Sequence, residues 1–283
     1  MVSKLPQPVG DRIYYKLQRN FGNLRLIDPC KYFEPALKLI KLTKHSWPKG
    51  GPTVFEVGTG RTVNAPLAFW LSGAREVITY DLNNYLVDEL ITESIEQLKG
   101  NRLIYEEMFH KYGIQLIEER WQNLLSSKSN TDVFKMANIN YVSPGDASRT
   151  GLPTSTIDMH TSINVLEHIP HPDLIGILIE AYRITKPSGI LAHQIDPSDH
   201  FSHSDKRLSS INFLKYDDNN WKNLAGNKFM FQNRLRASEY IELFNNTNFE
   251  LLSSDPTVSE EAINTLNSGF MIDTKLKNSQ KKT

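Results

Sequence analysis

Cysteine is almost absent from this sequence, because Cys30 is the only one among 283 residues. No disulfide can form within the chain, so a reducing compartment is the simpler expectation and we predict a cytoplasmic protein. An excess of charge of either sign is also missing, since 32 basic residues balance 32 acidic ones. No overall field attracts polyanions, and no nucleic-acid partner is expected.

Long apolar runs are missing too. The longest, around Leu174 to Ala181, is far too short to cross a bilayer, so no membrane span is expected. The opening residues, MVSKLPQPVGDR, lack the apolar centre of a secretory signal. The length is sufficient for one large α/β domain with additions, or for two small domains.

Residues 53–81 do contain a clear pattern of strand, glycine turn, helix and second strand. The apolar run 53–57 leads into the Gly-Thr-Gly turn 58–60, and the apolar run 77–80 ends on Asp81. Glycine lets a backbone approach a ligand where a Cβ would collide, and a carboxylate can accept two hydrogen bonds from a ribose diol. The stretch is typical of nucleotide-type α/β folds and predicts a site for an adenosine-containing ligand.

The glycine turn does not complete the dinucleotide fingerprint. That fingerprint has a third glycine three residues after the second, where this chain has Val63. An acid, Glu56, stands instead two residues before the first glycine. The adenosine ligand is therefore not expected to be a dinucleotide.

Apolar spacing and turn residues divide the chain into a core with additions. The predicted parts are a helical preface (1–50), a core (51–258) with a helical insertion (84–138) and an acceptor-side region (196–236), and a C-terminal segment (259–283) ending in a disordered tail, Lys277 to Thr283. The other predicted elements are helices over 28–44, from 173 to Pro187, 238–245 and 258–266, and strands over 139–142, 157–163, 190–195 and 249–252. A last strand at 270–274 is expected to be very short or absent.

Four motifs in order resemble those of class I S-adenosylmethionine-dependent methyltransferases, particularly the type 11 branch. They are Glu56–Gly60, Asp146-Ala147, Val165–His168 and the turn Lys186–Gly189. The resemblance implies a Rossmann-like α/β fold, a mostly parallel sheet with helices on both faces, and S-adenosyl-L-methionine as cofactor. The later region resembles, more loosely, a bacterial subgroup associated with glycan pathways.

The resemblance also implies a set of cofactor-binding residues. The glycine turn would lie under the methionine end with Glu56 helping to hold it, Asp81 would hold the ribose, and Asp146 and the Ala147 N–H would contact adenine. The full predicted set is Glu56, Gly58, Thr59, Gly60, Asp81, Leu82, Asp146, Ala147 and Asn164.

Catalysis is predicted to involve a base on the loop that leaves the carboxyl end of the strand 190–195. If the acceptor is a hydroxyl of a small molecule or glycan, removal of its proton accelerates transfer by about 10²–10⁴-fold. His200 with Asp199 is the first choice, and His168 is a further candidate. A metal site is weighed as well, but the spacing of its possible ligands matches no known helical array or zinc finger, so no metal is predicted. Those possible ligands are His193, Asp196, Asp199, His200 and His203.

Two other functions stay open from the sequence. One is a scaffold that keeps the fold without catalysis, for which Thr62 in place of the third glycine of the methyltransferase motif and the doubtful last strand argue mildly. The presence of all the expected pocket residues argues for a working pocket instead: Glu56, Gly58, Gly60, Asp81 and Asp146. A nucleic-acid methyltransferase is disfavoured by the neutral charge and by Asn164–Glu167, which stands where an Asn/Asp-Pro-Pro-aromatic motif would be expected. The acceptor atom and the oligomeric state are not predicted.

Overall fold

A computed structural model describes residues 5–6, 9–22, 24–227, 229–274 and 276. Its strands are β1 (Thr53–Val57), β2 (Glu76–Tyr80), β3 (Ile139–Val142), β4 (Ile157–Ile163) and β5 (Thr185–Gln194). Its helices are α1 (Val9–Phe21), α2 (Cys30–Thr43), α3 (Asn64–Leu71), α4 (Asp88–Gly100), α5 (Arg102–Lys111), α6 (Glu118–Ser126), α7 (Asn130–Met136), α8 (His171–Ile184), α9 (Phe201–Ser204), α10 (Asp218–Ala225), α11 (Ala237–Asn245) and α12 (Glu260–Asn267). The predicted disordered tail, 277–283, lies outside the described residues.

The five strands form one parallel sheet in the order β3-β2-β1-β4-β5. The central strand β1 is buried along its whole length, as expected for a strand that is paired on both sides and covered on both faces. Parallel pairing brings all carboxyl ends to one edge, where open α/β sheets bind ligands. The α/β Rossmann-like fold class predicted from the sequence is confirmed.

The predicted insertion between β2 and β3 is a set of four helices, α4 to α7. Its apolar faces join the same core as α2 and α3, with Tyr105, Phe109, Trp121 and Leu124 all at most 2% exposed. The Arg120 guanidinium donates to the Ala74 carbonyl at 2.7 Å, which ties α6 to the end of the α3 segment. The insertion is therefore part of the core rather than a separate module.

The structure corrects several predicted elements. The helix expected to end at Pro187 ends at Ile184, and the expected turn 186–189 lies inside β5 as an irregularity in its pairing with β4. Residues 249–252 are not a strand, and Leu252 is 67% exposed, because no described strand offers them a partner. Helix α1 lies within the predicted helical preface, where the sequence had placed only the helix over 28–44.

Residues 270–274 do not form a strand either. Phe270 and Ile272 pack against a small cluster around Trp221, and the Asp273 N–H donates to the Leu214 carbonyl at 2.8 Å. The backbone of this segment is therefore satisfied without pairing to the sheet.

The chain divides into two compact units. The sheet unit contains the described residues up to 166 and residues 176–195, with all five strands. The second unit contains residues 167–175 and the described residues from 196 onward, with helices α9 to α12. Among the described residues, no helix combines the length and the apolar character needed to cross a membrane.

Candidate functional site

The glycine turn after β1 has a backbone that only glycine adopts easily. Gly58 and Gly60 have φ of 84° and 75°, in the left-handed region that a Cβ disfavours. A Cβ on Gly58 would lie 2.5 Å from Val165 Cγ2, whereas one on Gly60 would meet no atom within 4 Å. The turn is thus packed from behind at Gly58 and open at Gly60, as an approaching ligand requires.

Glu56 lies behind this turn, with only 2% of its surface exposed. The Thr79 hydroxyl donates its only proton to the Glu56 carboxylate, at 2.6 Å. In the hydrogen bond between the Thr59 and Thr79 hydroxyls, Thr59 is therefore the donor. Glu56 is connected to the turn through this chain of hydroxyls. Burial, with a smaller effect from the Asp81 charge, raises the pKa of the Glu56 carboxyl to about 8.

Asp81 follows β2 and faces the same turn. Its carboxylate accepts a hydrogen bond from the Gly60 N–H at 3.1 Å, and the residue is 5% exposed. Burial raises the Asp81 pKa to about 6, opposed by hydrogen bonds from the Tyr141 hydroxyl and from the turn. The next residue, Leu82, is 69% exposed. The structure therefore brings the predicted ribose-binding carboxylate against the glycine turn.

The loop after β3 carries Asp146 and Ala147 to the same edge. The Gly145 N–H donates to the Asp81 backbone carbonyl at 2.8 Å, which joins the two loops. Asp146 accepts from the Ser148 N–H and hydroxyl at 2.8 and 2.6 Å, and these bonds lower its pKa. The Asp146 carboxylate is thus held in a fixed orientation.

Asn164 follows β4 at the same edge, with a φ of 53°. Its N–H donates to the Gln194 carbonyl at 2.9 Å, and its side-chain oxygen accepts from the Gln194 amide at 3.2 Å. The end of β4 is thereby tied to the end of β5. Cofactor residues predicted from four separate places in the sequence meet at one edge of the sheet unit.

The predicted catalytic residues lie in or beside the loop after β5, in the second unit. Asp199 is fully buried and accepts from the Phe201 N–H at 2.9 Å and the Asn212 amide at 3.2 Å. The carboxylate near the His200 ring is that of Asp196, with Nε2 and Oδ2 3.7 Å apart. The structure therefore gives Asp199 a role in shaping the loop and places Asp196 beside the imidazole.

His168 and His200 are close neighbours, with ring centroids 4.8 Å apart. Burial, and then the nearby His168, lower the His200 pKa to about 4. His200 is therefore neutral at pH 7. His193, in contrast, lies in β5, where its Nδ1 and the Ser162 hydroxyl share a hydrogen bond at 2.8 Å.

Sequence reasoning missed Glu167 as a residue of this group. It is 1% exposed, and its Oε1 accepts from the Asp196 N–H at 3.3 Å. Burial raises the Glu167 pKa to about 8. A single glutamate at a strand end is ordinarily solvated, so the residue type alone does not predict this burial. The only signal in the sequence was the position of Glu167 next to His168.

The sheet order, the glycine turn and the two aspartate loops are those expected of a class I methyltransferase fold. Residues 112–193 match a family model described as a methyltransferase domain. Over these residues the chain is similar to the type 11 branch of methyltransferase domains. The comparison with curated protein sequences gave no match.

Two methyltransferases are among the solved structures to which this chain is similar. One is Haemonchus contortus phosphoethanolamine N-methyltransferase 2 with phosphomonomethylethanolamine and S-adenosylhomocysteine, at 16% identity and a TM-score of 0.47, covering 84% of this chain and 42% of that one. The other is an S-adenosylmethionine-dependent methyltransferase from Archaeoglobus fulgidus, at 16% identity and a TM-score of 0.43, covering 91% and 90%. Similarities at this level carry no argument about the acceptor.

The residues present fit the cofactor of this class. The open space at Gly60 lets a ligand come close to the backbone of the turn. The buried Asp81 carboxylate can accept further hydrogen bonds besides the one from the Gly60 N–H. Asp146 and the Ala147 N–H follow at the adjoining loop. When bound, the cofactor supplies an electrophilic methyl group on sulfur.

Glu56→Gln is expected to remove a pH dependence of stability. A carboxyl whose folded pKa is raised to about 8 stabilises the fold below its ordinary pKa of 4.5, and this stabilisation is lost as the pH rises through 8. The amide keeps an acceptor for the Thr79 hydroxyl and does not titrate. Urea unfolding at several pH values measures the free energy of unfolding. From pH 5 to 9 that of Glu56→Gln should rise relative to that of the wild type, whereas that of the control Glu107→Gln, at an exposed position, should change with pH as the wild type does.

Proposed function

We propose that this protein transfers a methyl group from S-adenosyl-L-methionine to a hydroxyl of a small molecule or sugar, including a glycan, by in-line displacement. The observation that carries the methyl-donor half of the proposal is the convergence of the glycine turn, Asp81 and Asp146 at one sheet edge. In-line displacement draws most of its acceleration from alignment of nucleophile, methyl and sulfur. A rigid cofactor site is what such alignment requires.

The hydroxyl half rests on the chemistry of the loop after β5. A hydroxyl must lose its proton as it reacts, whereas a neutral amine can attack with its lone pair. His200, which is neutral at pH 7 because burial lowers its pKa to about 4, is able to accept a proton. His200 and His168 remain the proposed catalytic residues, and Asp199 is a positioning residue that holds the loop by accepting from the Phe201 N–H.

Incubation with S-adenosylmethionine labelled at the methyl carbon tests the proposal. Pools of hydroxyl-containing metabolites, sugars and polysaccharides are incubated with the protein, and the labelled product is isolated and examined by ¹³C NMR, which separates O-, N- and C-methyl groups. We expect an O-methyl product and no product from Asp81→Asn. A label on nitrogen or carbon contradicts the hydroxyl proposal, and cofactor binding without any product supports the scaffold alternative.

A further inference from the structure

Glu167 presents a buried oxygen whose partner is missing. The residue is 1% exposed, and its Oε2 has no hydrogen-bond partner within the described part of the chain. Burying a carboxylate oxygen without a partner is unfavourable, so such atoms are rare unless a water or an ion satisfies them. A carboxylate oxygen of Glu167 lies within 4.8 Å of a ring nitrogen of His168 and one of His200. Two imidazoles therefore lie beside this carboxylate.

The two rings are oriented as ligand imidazoles are. The Phe231 carbonyl can only accept, so His168 Nδ1, at 2.8 Å from it, carries the proton and Nε2 keeps its lone pair. Metal-bound histidines ordinarily donate the other ring N–H to a carbonyl or carboxylate in this way. His200 Nε2 is buried and has no hydrogen-bond partner among residues the structure describes. Each ring thus has a nitrogen lone pair to offer, that of His200 buried and unpartnered and that of His168 on an exposed residue.

We propose that the second unit binds one divalent transition-metal ion through Glu167, His168 and His200. In a tetrahedral site, ligand atoms bonded at about 2.0–2.2 Å to one ion lie about 3.3–3.6 Å apart. The three donor atoms lie within 4.8 Å of one another, so small side-chain rotations bring them to that spacing. Two imidazoles and one carboxylate select zinc, manganese, iron or cobalt over magnesium and calcium, which prefer oxygen ligands.

Asp196 and His203 form a second group around His200, and it is a weaker candidate. Its donor atoms also lie within 4.8 Å, but His203 is exposed, and its Nε2 lies 3.1 Å from the Ser198 hydroxyl and 3.4 Å from Asp196 Oδ2. These polar neighbours already satisfy its atoms. Asp196, whose Oδ2 is 3.7 Å from His200 Nε2, is placed to add a fourth ligand to the first group.

This ligand set was not visible in the sequence, where His193 and Asp199 were weighed as ligands and Glu167 was not. The assignment gives His168 and His200 the role of ligands, and a coordinated imidazole has no lone pair left to act as a base. The effect of a chelator on methyl transfer distinguishes the role of base from the role of metal ligand. Removal of the ion should change the activity only if these histidines are ligands.

Direct metal binding tests the assignment. The full chain, free of a histidine tag and stripped with a chelator, is titrated with Zn²⁺ by calorimetry, and its zinc content is measured after gel filtration. We expect one ion per chain, visible absorption bands with Co²⁺, and no binding of Mg²⁺. Loss of a supporting residue around a metal already costs about 10–100-fold in affinity, so Glu167→Gln and His168→Ala should each weaken Zn²⁺ binding by about 100-fold or more.

Two histidine variants serve as controls. His110→Ala, an exposed histidine on α5, should leave Zn²⁺ affinity unchanged, and His203→Ala should change it by less than about tenfold. Circular dichroism melts verify that each variant is folded. Absence of stoichiometric zinc in the wild type overturns the proposal. Unchanged affinity in both Glu167→Gln and His168→Ala overturns the ligand set. S-adenosylmethionine binding is measured on the same stripped protein, so that a failure of the proposed function can be distinguished from a failure of the metal assignment.

Discussion

Replacement of Asp81 by asparagine is expected to weaken S-adenosylmethionine binding by about 100-fold or more. Hydrogen bonds to a charged group contribute about 1.5–3 kcal/mol each, and a ribose diol makes two of them. Asparagine has nearly the same shape but only one acceptor oxygen, and its amide would face the Gly60 N–H that now donates to the carboxylate. Isothermal titration calorimetry at pH 8, where the wild-type carboxyl with its pKa of about 6 is ionised, measures the change.

Asp88→Asn is the matched control for this substitution. Asp88 is exposed in the first turn of α4 and makes the same change of charge without contact to the glycine turn. Its affinity should equal that of the wild type, and melting curves should show both variants folded. Equal affinities of the two variants would falsify the assignment of Asp81 to the cofactor site.

Gly58→Ala is expected to destabilise the fold by about 2–5 kcal/mol. Two costs combine at this position: the left-handed φ of 84° costs about 1–2 kcal/mol for a residue with a Cβ, and the new methyl overpacks against Val165 at 2.5 Å for about 1–3 kcal/mol. The free energy of unfolding, measured with urea, gives the total. Cofactor affinity should fall with it, since the turn cannot keep its path.

Two further variants separate these costs. Gly60→Ala has a similar φ of 75° but open space around its Cβ, so only the conformational cost of about 1–2 kcal/mol is expected. Adding Val165→Ala to Gly58→Ala removes the collision and should recover part of the stability. If Gly58→Ala proves no more destabilising than Gly60→Ala, the close packing behind the turn is not what fixes glycine there.

The sheet unit was largely predictable because its signals are local. The apolar run of β1, the glycine turn and the aspartate at the end of β2 each follow from spacing within a few residues, and parallel topology then brings them together. The strand predicted at 249–252 failed because strand formation needs a partner strand, which no local pattern supplies.

The acid–base group of the second unit was less predictable. Sequence adjacency favoured Asp199 as the partner of His200, but neighbouring residues on a turn point in different directions. In the structure the loop folds back so that Asp196, four residues earlier, faces the ring, while Asp199 accepts from the Phe201 N–H. Glu167 was missed because its burial depends on segments distant in sequence, such as the one around Asn233, whose N–H donates to the Glu167 carbonyl at 2.9 Å.

The irregular pairing of β5 protects an edge of the sheet against pairing with strands of other chains. β5 ends the strand order, and no strand in the described ranges pairs with its far side. The segment 186–189 interrupts its register with a charged lysine and with Pro187, which has no N–H to offer an incoming strand. Any foreign strand could therefore add in register only along the short stretch Ile190–Gln194, which limits edge-to-edge aggregation.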